Sequence, residues 1–325
     1  MNPTRRLLTA ALAAGMVFSA GVCGAQTYPT RPITVIIPFA GGSASDVVSR
    51  IMFQKMSEQM GQPIIIDNRP GAGGNNGSAE AARAAPDGYT LLGGGSGPVA
   101  ANKTLYRQLP YDPEKDLEII SPFAGFTIVV VATKHLPVTT LKDLIAYAKA
   151  NPGKLNYGSV GNGSSQHLAG EYFQQVTGVK LTHVPYRNIA QYGPDLIAGT
   201  VELGFQWYPN VSGALQAKGA NALGVAGDKR LAILPDTPTT TEAGVPEYKY
   251  SGWFALMVPK GTPADIKERL NKELTTALQN PDVIEKFAQQ GAEPMGIPLA
   301  EAKTFLTKEV KIHEDIITTA NIPKL

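Results

Sequence analysis

The sequence predicts an α/β protein with two domains, and three observations carry this prediction. The chain has 325 residues, whereas a single domain averages about 150 residues. Short β-branched runs alternate with amphipathic segments, a pattern typical of parallel strands joined by right-handed helical crossovers. The 34 Gly and 25 Pro residues indicate many loops, while 43% hydrophobic residues are enough for a packed core.

The first 25 residues predict a secretory signal that is removed by cleavage. Arg5 and Arg6 form a positive segment, residues 7–20 are apolar, and Cys23-Gly24-Ala25 places small residues before a cleavage point at Gln26. The apolar segment is shorter than a membrane-spanning helix requires. Lipidation of Cys23 is a weaker alternative, because residues 20–22 fit a lipidation motif poorly.

The balance of charge changes when this signal is removed. Loss of Arg5 and Arg6 leaves 27 basic and 27 acidic residues and no cysteine. A neutral chain without a basic run argues against electrostatic binding of nucleic acid. A chain without cysteine needs no disulfide in an oxidising compartment. We therefore expect a soluble monomer in the periplasm.

In the first half of the chain, strands and helices alternate. Residues 33–37 are a continuous β-branched run, which predicts a strand buried on both faces. Gly61 is expected to end the helix that follows, and Ser78 to cap a short Ala-rich helix that ends before Pro86. The predicted elements are a strand at 33–37, a helix at 46–60, a strand at 63–66, a helix from 78 and a strand at 89–92.

The alternation continues in the second half and gives way to helices. Thr140 is a predicted N-cap, Gly178 a helix stop and Pro263 a first helical residue. Extended segments near 123–127 and 248–254 are the candidate crossings between domains. The predicted elements are strands at 128–132 and 155–157 and helices at 141–150, 166–176, 263–279, 281–290 and 298–319.

Two glycine-rich loops each join a predicted strand to a predicted helix. The first glycine loop is residues 38–46, and the second glycine loop is residues 157–167. Glycine lets the backbone turn tightly and approach a ligand, and the N–H groups of a helix N-terminus attract anions. We expect the two loops to face each other across a cleft and bind an anion. The alternative is that both are tight turns with serine N-caps.

Other chemistries find little support in the sequence. Residues 95–100 match a dinucleotide-binding pattern, but Pro98 lies within the supposed turn. Ser164, Ser165 and His167 are too close in sequence to form a catalytic triad, and no nucleophile elbow or zinc-binding motif occurs. We therefore predict a protein that is not an enzyme and has no catalytic residue, metal ligand or cofactor.

The chain resembles the Bug family, the TctC-like periplasmic solute receptors of tripartite tricarboxylate transporters. Its motifs occur in order along almost the whole chain after residue 25. The motifs that carry the resemblance are Pro38-Phe39-Ala40-Gly41-Gly42, Asn68-Arg69-Pro70-Gly71-Ala72-Gly73-Gly74, Pro86-Asp87-Gly88-Tyr89, Leu109-Pro110-Tyr111-Asp112, His167-Leu168-Ala169-Gly170-Glu171, His183-Val184-Pro185-Tyr186, Leu234-Pro235-Asp236-Thr237-Pro238, Glu242-Ala243-Gly244 and Pro259-Lys260-Gly261-Thr262-Pro263.

The resemblance implies a two-lobed periplasmic-binding-protein fold of type II, with a ligand cleft between the lobes. The expected division is a signal peptide at 1–25, lobe 1 at 26–126 and 251–325, and lobe 2 at 127–250. The receptor would close on a small organic carboxylate and deliver it to TctA- and TctB-like membrane subunits. Asp46 would fix the first glycine loop. The expected ligand-binding residues are Phe39, Ala40, Gly41, Gly42, Ser43, Ser96, Ser159, Gly161, Asn162, Gly163, Ser164, His167, Arg187, Gln206 and Trp207.

Departures from the family pattern bear on the ligand. Many members have an acidic residue where this chain has Gln206, so a partner for a ligand ammonium is missing. Trp207 and Tyr208 would form an aromatic wall, and Arg187 would bind a second carboxylate. We therefore expect an aromatic or bulky carboxylate, such as a dicarboxylate of terephthalate type. The alternative places Trp207 in a core and Arg187 at the surface.

Two other functions remain open at this point. A ligand sensor would present its closed form to a membrane signalling protein, and this requires the same closure as transport. A secreted hydrolase would need a nucleophile, a base and an orienting group, and the sequence shows no such set.

Overall fold

The computed structural model describes residues 28–325. The predicted signal and its cleavage point lie outside the described residues. Residues 31–325 form one compact unit. No helix between residues 28 and 325 combines the length and apolar character needed to cross a bilayer.

The strands belong to two separate sheets, one of six strands and one of five. They are β1 (Ile33–Ile37), β2 (Ile64–Asn68), β3 (Thr90–Gly95), β4 (Leu117–Thr127), β5 (Val129–Thr133), β6 (Asn156–Ser159), β7 (Thr182–Pro185), β8 (Leu203–Gln206), β9 (Ala220–Val225), β10 (Ser251–Pro259) and β11 (Ala292–Pro294). The first sheet has the order β11-β4-β10-β3-β1-β2, and the second sheet has the order β7-β6-β8-β5-β9.

Each sheet combines parallel and antiparallel pairs. The pairs β1–β2, β1–β3, β6–β7 and β6–β8 are parallel, as the strand and helix alternation predicts. In contrast, β10 runs antiparallel to both β3 and β4, and β5 runs antiparallel to β8 and β9. These antiparallel strands are the ones by which the chain enters or leaves a sheet next to a crossing, so no helical crossover sets their direction.

The helices cover the faces of the two sheets. They are α1 (Ala44–Met60), α2 (Asn75–Ala82), α3 (Asn102–Leu105), α4 (Leu141–Ala150), α5 (Ser165–Thr177), α6 (Tyr192–Ala198), α7 (Tyr208–Gln216), α8 (Ala264–Leu278), α9 (Pro281–Gln289) and α10 (Leu299–Thr319). Single 3₁₀ or π turns occupy Ala72–Gly74, Gly97–Ala101 and Ile189–Gln191.

Most predicted helix ends agree with the structure, and two do not. Gly61 and Gly178 end α1 and α5 in the left-handed conformation, and Thr140 forms a capping box with Asp143. The prediction that Ser78 is an N-cap is wrong, because Ser78 lies inside α2. Gly74, with a φ of 96°, turns the chain and is the N-cap of that helix, four residues before the predicted one. Pro263, predicted as a first helical residue, is the N-cap of α8.

Three peptide segments meet where the chain passes between the sheets. Ile128 separates β4 of the first sheet from β5 of the second, and Tyr250 directly precedes β10. The N–H of Ala226 donates to the oxygen of Ile128 at 2.8 Å, that of Ile128 to Tyr250 at 3.1 Å, and that of Tyr250 to Ala226 at 2.9 Å. This ring of backbone hydrogen bonds holds the crossing segments together.

Candidate ligand-binding site

Both glycine loops follow the carboxyl end of a parallel strand and lead into a helix. Ser43 caps α1, its Oγ accepting from the Asp46 N–H at 3.4 Å, and Ser164 caps α5 by accepting from the His167 N–H at 3.3 Å. The positive ends of two helix dipoles therefore lie at these loops. This arrangement suits an anion. Several N–H groups of the loops, including those of Gly42, Ala44 and Gly163, are bonded within the protein.

A chamber of about 680 Å³ lies between the two loops. Phe39, Ala40 and Ser43 line it from the first glycine loop, and Gly161 and Asn162 line it from the second. The chamber wall is completed by Arg187 and by Pro70, Gly71, Ala72, Gly73, Asn76, Tyr106, Val160, Pro185, Tyr186 and Ile189. Its volume falls within the range of about 300–1,000 Å³ that is usual for small-molecule sites.

Beside the chamber, the backbones of the segments after β2 and β3 lie in direct contact with the backbone of the second glycine loop. A Cβ atom on Gly97 would lie 2.7 Å from the carbonyl oxygen of Gly163, and one on Gly73 would lie 1.9 Å from that of Asn162. The Tyr106 hydroxyl donates to the same Asn162 oxygen at 2.9 Å. Glycine at these two positions therefore lets the segments following β2 and β3 touch the second glycine loop.

A much smaller inner cavity, of about 10 Å³, adjoins the chamber and shares Phe39, Ser43 and Val160 with it. Gln166 and Trp207 also line it and are only 1% and 3% exposed. Both polar atoms of the Gln166 amide and the Trp207 Nε1–H have no hydrogen-bond partner. Because an unpaired buried polar group costs about 1–3 kcal/mol, such atoms mark a place where a partner is expected.

Trp207 is held rigidly by aromatic rings of the first sheet. Its ring stacks on Phe126 at 5.3 Å between centroids and meets Phe254 edge-on at 5.0 Å. The aromatic wall expected from Trp207 and Tyr208 is absent from the chamber, because Trp207 packs between these rings and Tyr208 does not line the chamber. Phe39, Tyr106 and Tyr186 supply its aromatic surface instead.

Gln206 is completely buried and uses both ends of its amide within the protein. Its Nε2 donates to the Gly158 oxygen, and its Oε1 accepts from Asn210 Nδ2, both at 2.9 Å. Asn210 Oδ1 in turn accepts from the Ala44 N–H at 3.0 Å. Only a neutral amide could donate and accept in this way, so Gln206 links the second sheet to the start of α1.

The first glycine loop is fixed from below by Asp46. Its carboxylate accepts from the Gly42 N–H at 2.9 Å, from Asn68 at 3.0 Å and from Arg50 at 3.0 Å. Burial alone would raise the pKa of Asp46, but these hydrogen bonds outweigh it and hold that pKa below its ordinary value. Asp46 is therefore a structural anion that holds the loop.

Two histidines, the buried His167 and the half-buried His183, support the second glycine loop. His167 Nδ1 accepts from the Gly163 N–H at 3.2 Å, and His183 Nε2 shares a 2.6 Å hydrogen bond with Ser159 Oγ. The two rings lie 4.2 Å apart. Burial lowers the pKa of His167 to about 4, and burial together with His167 lowers the pKa of His183 to about 3. Both rings are therefore neutral near pH 7.

The comparisons with known proteins decide the family. A family model described as the tripartite tricarboxylate transporter family receptor, TctC, matches residues 48–322. The chain belongs to this family. The resemblance to Bug proteins is confirmed, since the receptor is 35% identical to the protein BugT of Bordetella pertussis over 312 residues, which is 96% of each chain.

Solved structures confirm the predicted fold class. The receptor matches R. palustris Rpa4515 with adipate at a TM-score of 0.88 and 36% identity, over 92% of this chain and 100% of that one. It matches MatC from Rhodopseudomonas palustris with bound malate at 0.83 and 30% identity, over 89% and 100% of the two chains. The periplasmic binding protein BugD gives 0.86 and 29% identity, over 92% and 100%.

Six of the expected ligand-binding residues line the chamber, and Trp207 lines the inner cavity. Of the others, Ser96 is fully buried and shares a 2.9 Å hydrogen bond with Ser165 Oγ, whereas Gly41 and Gly42 are exposed. The expected residues that line neither cavity are Gly41, Gly42, Ser96, Ser159, Gly163, Ser164, His167 and Gln206. His167, expected among the ligand-binding residues, instead accepts a hydrogen bond from the Gly163 N–H through Nδ1.

Sequence reasoning missed Gln166, Asn210 and Tyr106. Gln166 lies within the second glycine loop as it was defined, and its polar side chain in the first turn of α5 was a usable signal. Asn210 and Tyr106 gave no such signal, because they are 166 and 56 residues away from the residues that they contact. Between residues 28 and 325, no cluster of side chains suits a metal ion.

Proposed function

We propose that this chain is a periplasmic receptor that captures a small organic carboxylate between its two glycine loops and delivers it to a membrane tripartite tricarboxylate transporter. The observation that carries the proposal is that the first turns of α1 and α5 both line the inner cavity, through Ser43 and Gln166, and that the loops before these helices line the adjoining chamber. The family membership supports the transport role, and the relatives with adipate and malate support the ligand class.

Capture of an anion here depends on local dipoles. None of the residues that line the inner cavity is charged, and Arg187 is the one charged residue lining the chamber. Backbone N–H groups and helix dipoles act over one turn and are strengthened by burial. A carboxylate at this position would be held without any requirement for a positive net charge.

We further propose that the ligand has a second carboxylate, which binds Arg187. This side chain lines the chamber and has no ion-pair partner among residues 28–325. Phe39, Tyr106 and Tyr186 line the same chamber as Arg187 and give it aromatic surface. An aromatic dicarboxylate of terephthalate type would place its ring against these side chains.

Closure of two lobes would couple binding to delivery. The lobes are proposed as residues 26–126 with 251–325 and residues 127–250, hinged where Ile128, Ala226 and Tyr250 exchange backbone hydrogen bonds. A ligand that touches both glycine loops binds the closed form better than the open form, and so shifts the receptor towards closure. A membrane partner that binds only the closed form would then receive the ligand.

A charge placed at the N-cap of α1 tests the proposal. Ser43→Asp keeps a good N-cap but puts a carboxylate against the ligand, so binding should be lost while the fold remains. Asn280→Asp makes a matched change at the N-cap of α9, which lines neither cavity, and should bind normally. Binding is measured as thermal stabilisation by a panel of carboxylates, preceded by native mass spectrometry of the purified protein.

The expected stabilisation is about 2.7 kcal/mol at a hundredfold excess of ligand over Kd. A panel in which no carboxylate stabilises the protein, or equal binding by the Ser43→Asp variant, would contradict the proposal. Stabilisation only by amino acids or citrate would contradict the aromatic ligand alone. If a signalling protein rather than a transporter is recovered together with the liganded protein, the function is sensing and not transport.

A further inference from the structure

Two residues that line the inner cavity, Gln166 and Trp207, carry buried polar atoms without a hydrogen-bond partner. Gln166 offers the two N–H groups of Nε2 as donors and Oε1 as an acceptor, and Trp207 offers Nε1–H as a donor, all without partners. The other polar side chains at this cavity are already engaged. Ser43 shares a 2.9 Å hydrogen bond with Ser45, and Asn210 bridges Ala44 and Gln206.

We propose that this set recognises the 2-hydroxyl group of a 2-hydroxycarboxylate. This inference rests on the proposed capture of a carboxylate and replaces the terephthalate-type ligand, which has no such hydroxyl, by a 2-hydroxycarboxylate. The hydroxyl would accept from Trp207 Nε1–H and donate to Gln166 Oε1. The adjacent carboxylate oxygen would accept from Gln166 Nε2–H. The hydroxyl oxygen and one carboxylate oxygen of a 2-hydroxycarboxylate lie on the same edge of the molecule. The Nε2–H donor and the Oε1 acceptor of a glutamine also lie on one edge of its amide, so the amide and the ligand are complementary.

The size of the inner cavity agrees with a single hydroxyl group. A volume of about 10 Å³ is close to the space that one water molecule requires. The cavity shares Phe39, Ser43 and Val160 with the chamber. A ligand would therefore place its hydroxyl in the inner cavity, its carboxylate between the glycine loops and the rest of its carbon skeleton in the chamber.

Gln166 and Trp207 also disfavour two analogues of a 2-hydroxycarboxylate, the acid without the hydroxyl and the 2-amino acid. A ligand that lacks the hydroxyl would leave the Gln166 acceptor and the Trp207 donor unpaired and buried. A 2-ammonium group could donate to Gln166, but it has no lone pair for Trp207, and no acidic side chain lines the cavity to balance its charge. A site built to bind a hydroxyl rejects the analogue without it far more strongly than an apolar pocket does.

Matched series of ligands test the inference on the unmodified protein. The series are succinate, malate and aspartate; adipate, 2-hydroxyadipate and 2-aminoadipate; and phenylacetate, mandelate and phenylglycine, with Kd measured by calorimetry. In each series that binds, the hydroxyl member should bind about tenfold or more tightly than the unsubstituted acid. The amino member should bind most weakly.

Two variants test whether Gln166 and Trp207 cause the preference for the hydroxyl-bearing ligand. Trp207→Phe keeps a ring between Phe126 and Phe254 but removes the N–H, and Gln166→Leu keeps most of the volume but removes the amide. Each should reduce the preference for the hydroxyl member to about twofold or less. Ser49→Ala is the control, because Ser49 Oγ is also buried and unpartnered but lines neither cavity.

Equal affinity for the hydroxyl and unsubstituted members would overturn the inference, as would an undiminished preference in both variants. Equal affinity is also the result expected if the cavity holds only a water molecule. If carboxylates bind without preference, this inference fails and the proposed function stands. If no member of any series binds and the broader carboxylate panel is also negative, both fail.

Discussion

The Nδ1 atom of His167 accepts a hydrogen bond from the backbone N–H of Gly163 at 3.2 Å. This bond requires an unprotonated Nδ1, because an imidazolium ring can only donate. The state of one histidine is thereby tied to the shape of the second glycine loop, which contributes Gly161 and Asn162 to the chamber.

We predict that the free energy of unfolding falls as the pH is lowered from about 6.5 to 4. Burial lowers the pKa of His167 from 6.5 in the unfolded chain to about 4 in the fold, so between these values the unfolded chain binds more protons. The contribution of neutral His167 is therefore fully present above pH 6.5 and is lost towards pH 4. This contribution is expected to be about 3 kcal/mol. Urea unfolding at a series of pH values across this range measures it.

His167→Asn separates this effect from other titrations. The Asn Oδ1 can accept from the Gly163 N–H but cannot take up a proton, so the pH dependence should become shallower. Part of it should remain, because burial and His167 also lower the pKa of His183. His135→Asn, at an exposed histidine, should change nothing. An identical pH profile for His167→Asn and the unmodified protein would exclude this role.

Gly97→Ala should weaken ligand binding without unfolding the protein. The new Cβ would lie 2.7 Å from the Gly163 oxygen, so the segment after β3 could no longer touch the second glycine loop. We expect Kd to rise at least about tenfold and small-angle scattering to show no compaction with ligand. Gly213→Ala, in open space within α7, should bind normally and gain up to about 1 kcal/mol. Normal binding by Gly97→Ala would show that this contact is dispensable.

Arg187→Gln should discriminate between ligands with one and two carboxylates. Loss of a charge-assisted hydrogen bond costs about 1.5–3 kcal/mol, so dicarboxylate affinity should fall roughly tenfold to a hundredfold. Monocarboxylates should be unaffected, and so should the control Arg83→Gln, at an exposed arginine that lines neither cavity. Calorimetry with succinate and butyrate makes the comparison. An equal loss for both ligands would remove Arg187 as the second binding point.

Asp46→Asn should destabilise the protein by about 1–3 kcal/mol in urea unfolding at pH 7. An amide cannot accept all the hydrogen bonds that Gly42, Arg50 and Asn68 donate to the carboxylate. Since these bonds hold the pKa of Asp46 below its ordinary value, the stabilisation is present above pH 4 and disappears below it. Asp265→Asn, at an exposed position in the first turn of α8, should change stability by less than about 0.5 kcal/mol. An unaltered stability of Asp46→Asn would show that the loop does not depend on this carboxylate.

Local sequence predicted most of the fold because the decisive signals are local. A β-branched run such as Ile33–Ile37 and a helix stop such as Gly61 act through neighbouring residues and need no tertiary contact. Ser78 shows the limit of this reasoning. A good N-cap residue lies inside α2, because the unusual backbone of Gly74 had already started the helix.

The candidate site could be predicted only where it depends on the backbone. Glycine and serine in a strand-to-helix loop identify the positions of N–H groups, so both glycine loops could be located. The direction of a side chain is set by distant packing instead. Trp207 points between Phe126 and Phe254 of the other sheet, and no local pattern indicates this.

The sequence by itself determined the alternating α/β elements, the two glycine loops and the family, because periodicity, helix caps and ordered motifs are written in consecutive residues. Only the tertiary structure decided which atoms at those loops remain free for a ligand. Gln206 and Gln166 carry the same side chain, yet the fold pairs both ends of the first and neither end of the second. That difference depends on partners brought together from distant parts of the chain, and it leaves Gln166 as a free donor and acceptor beside the chamber.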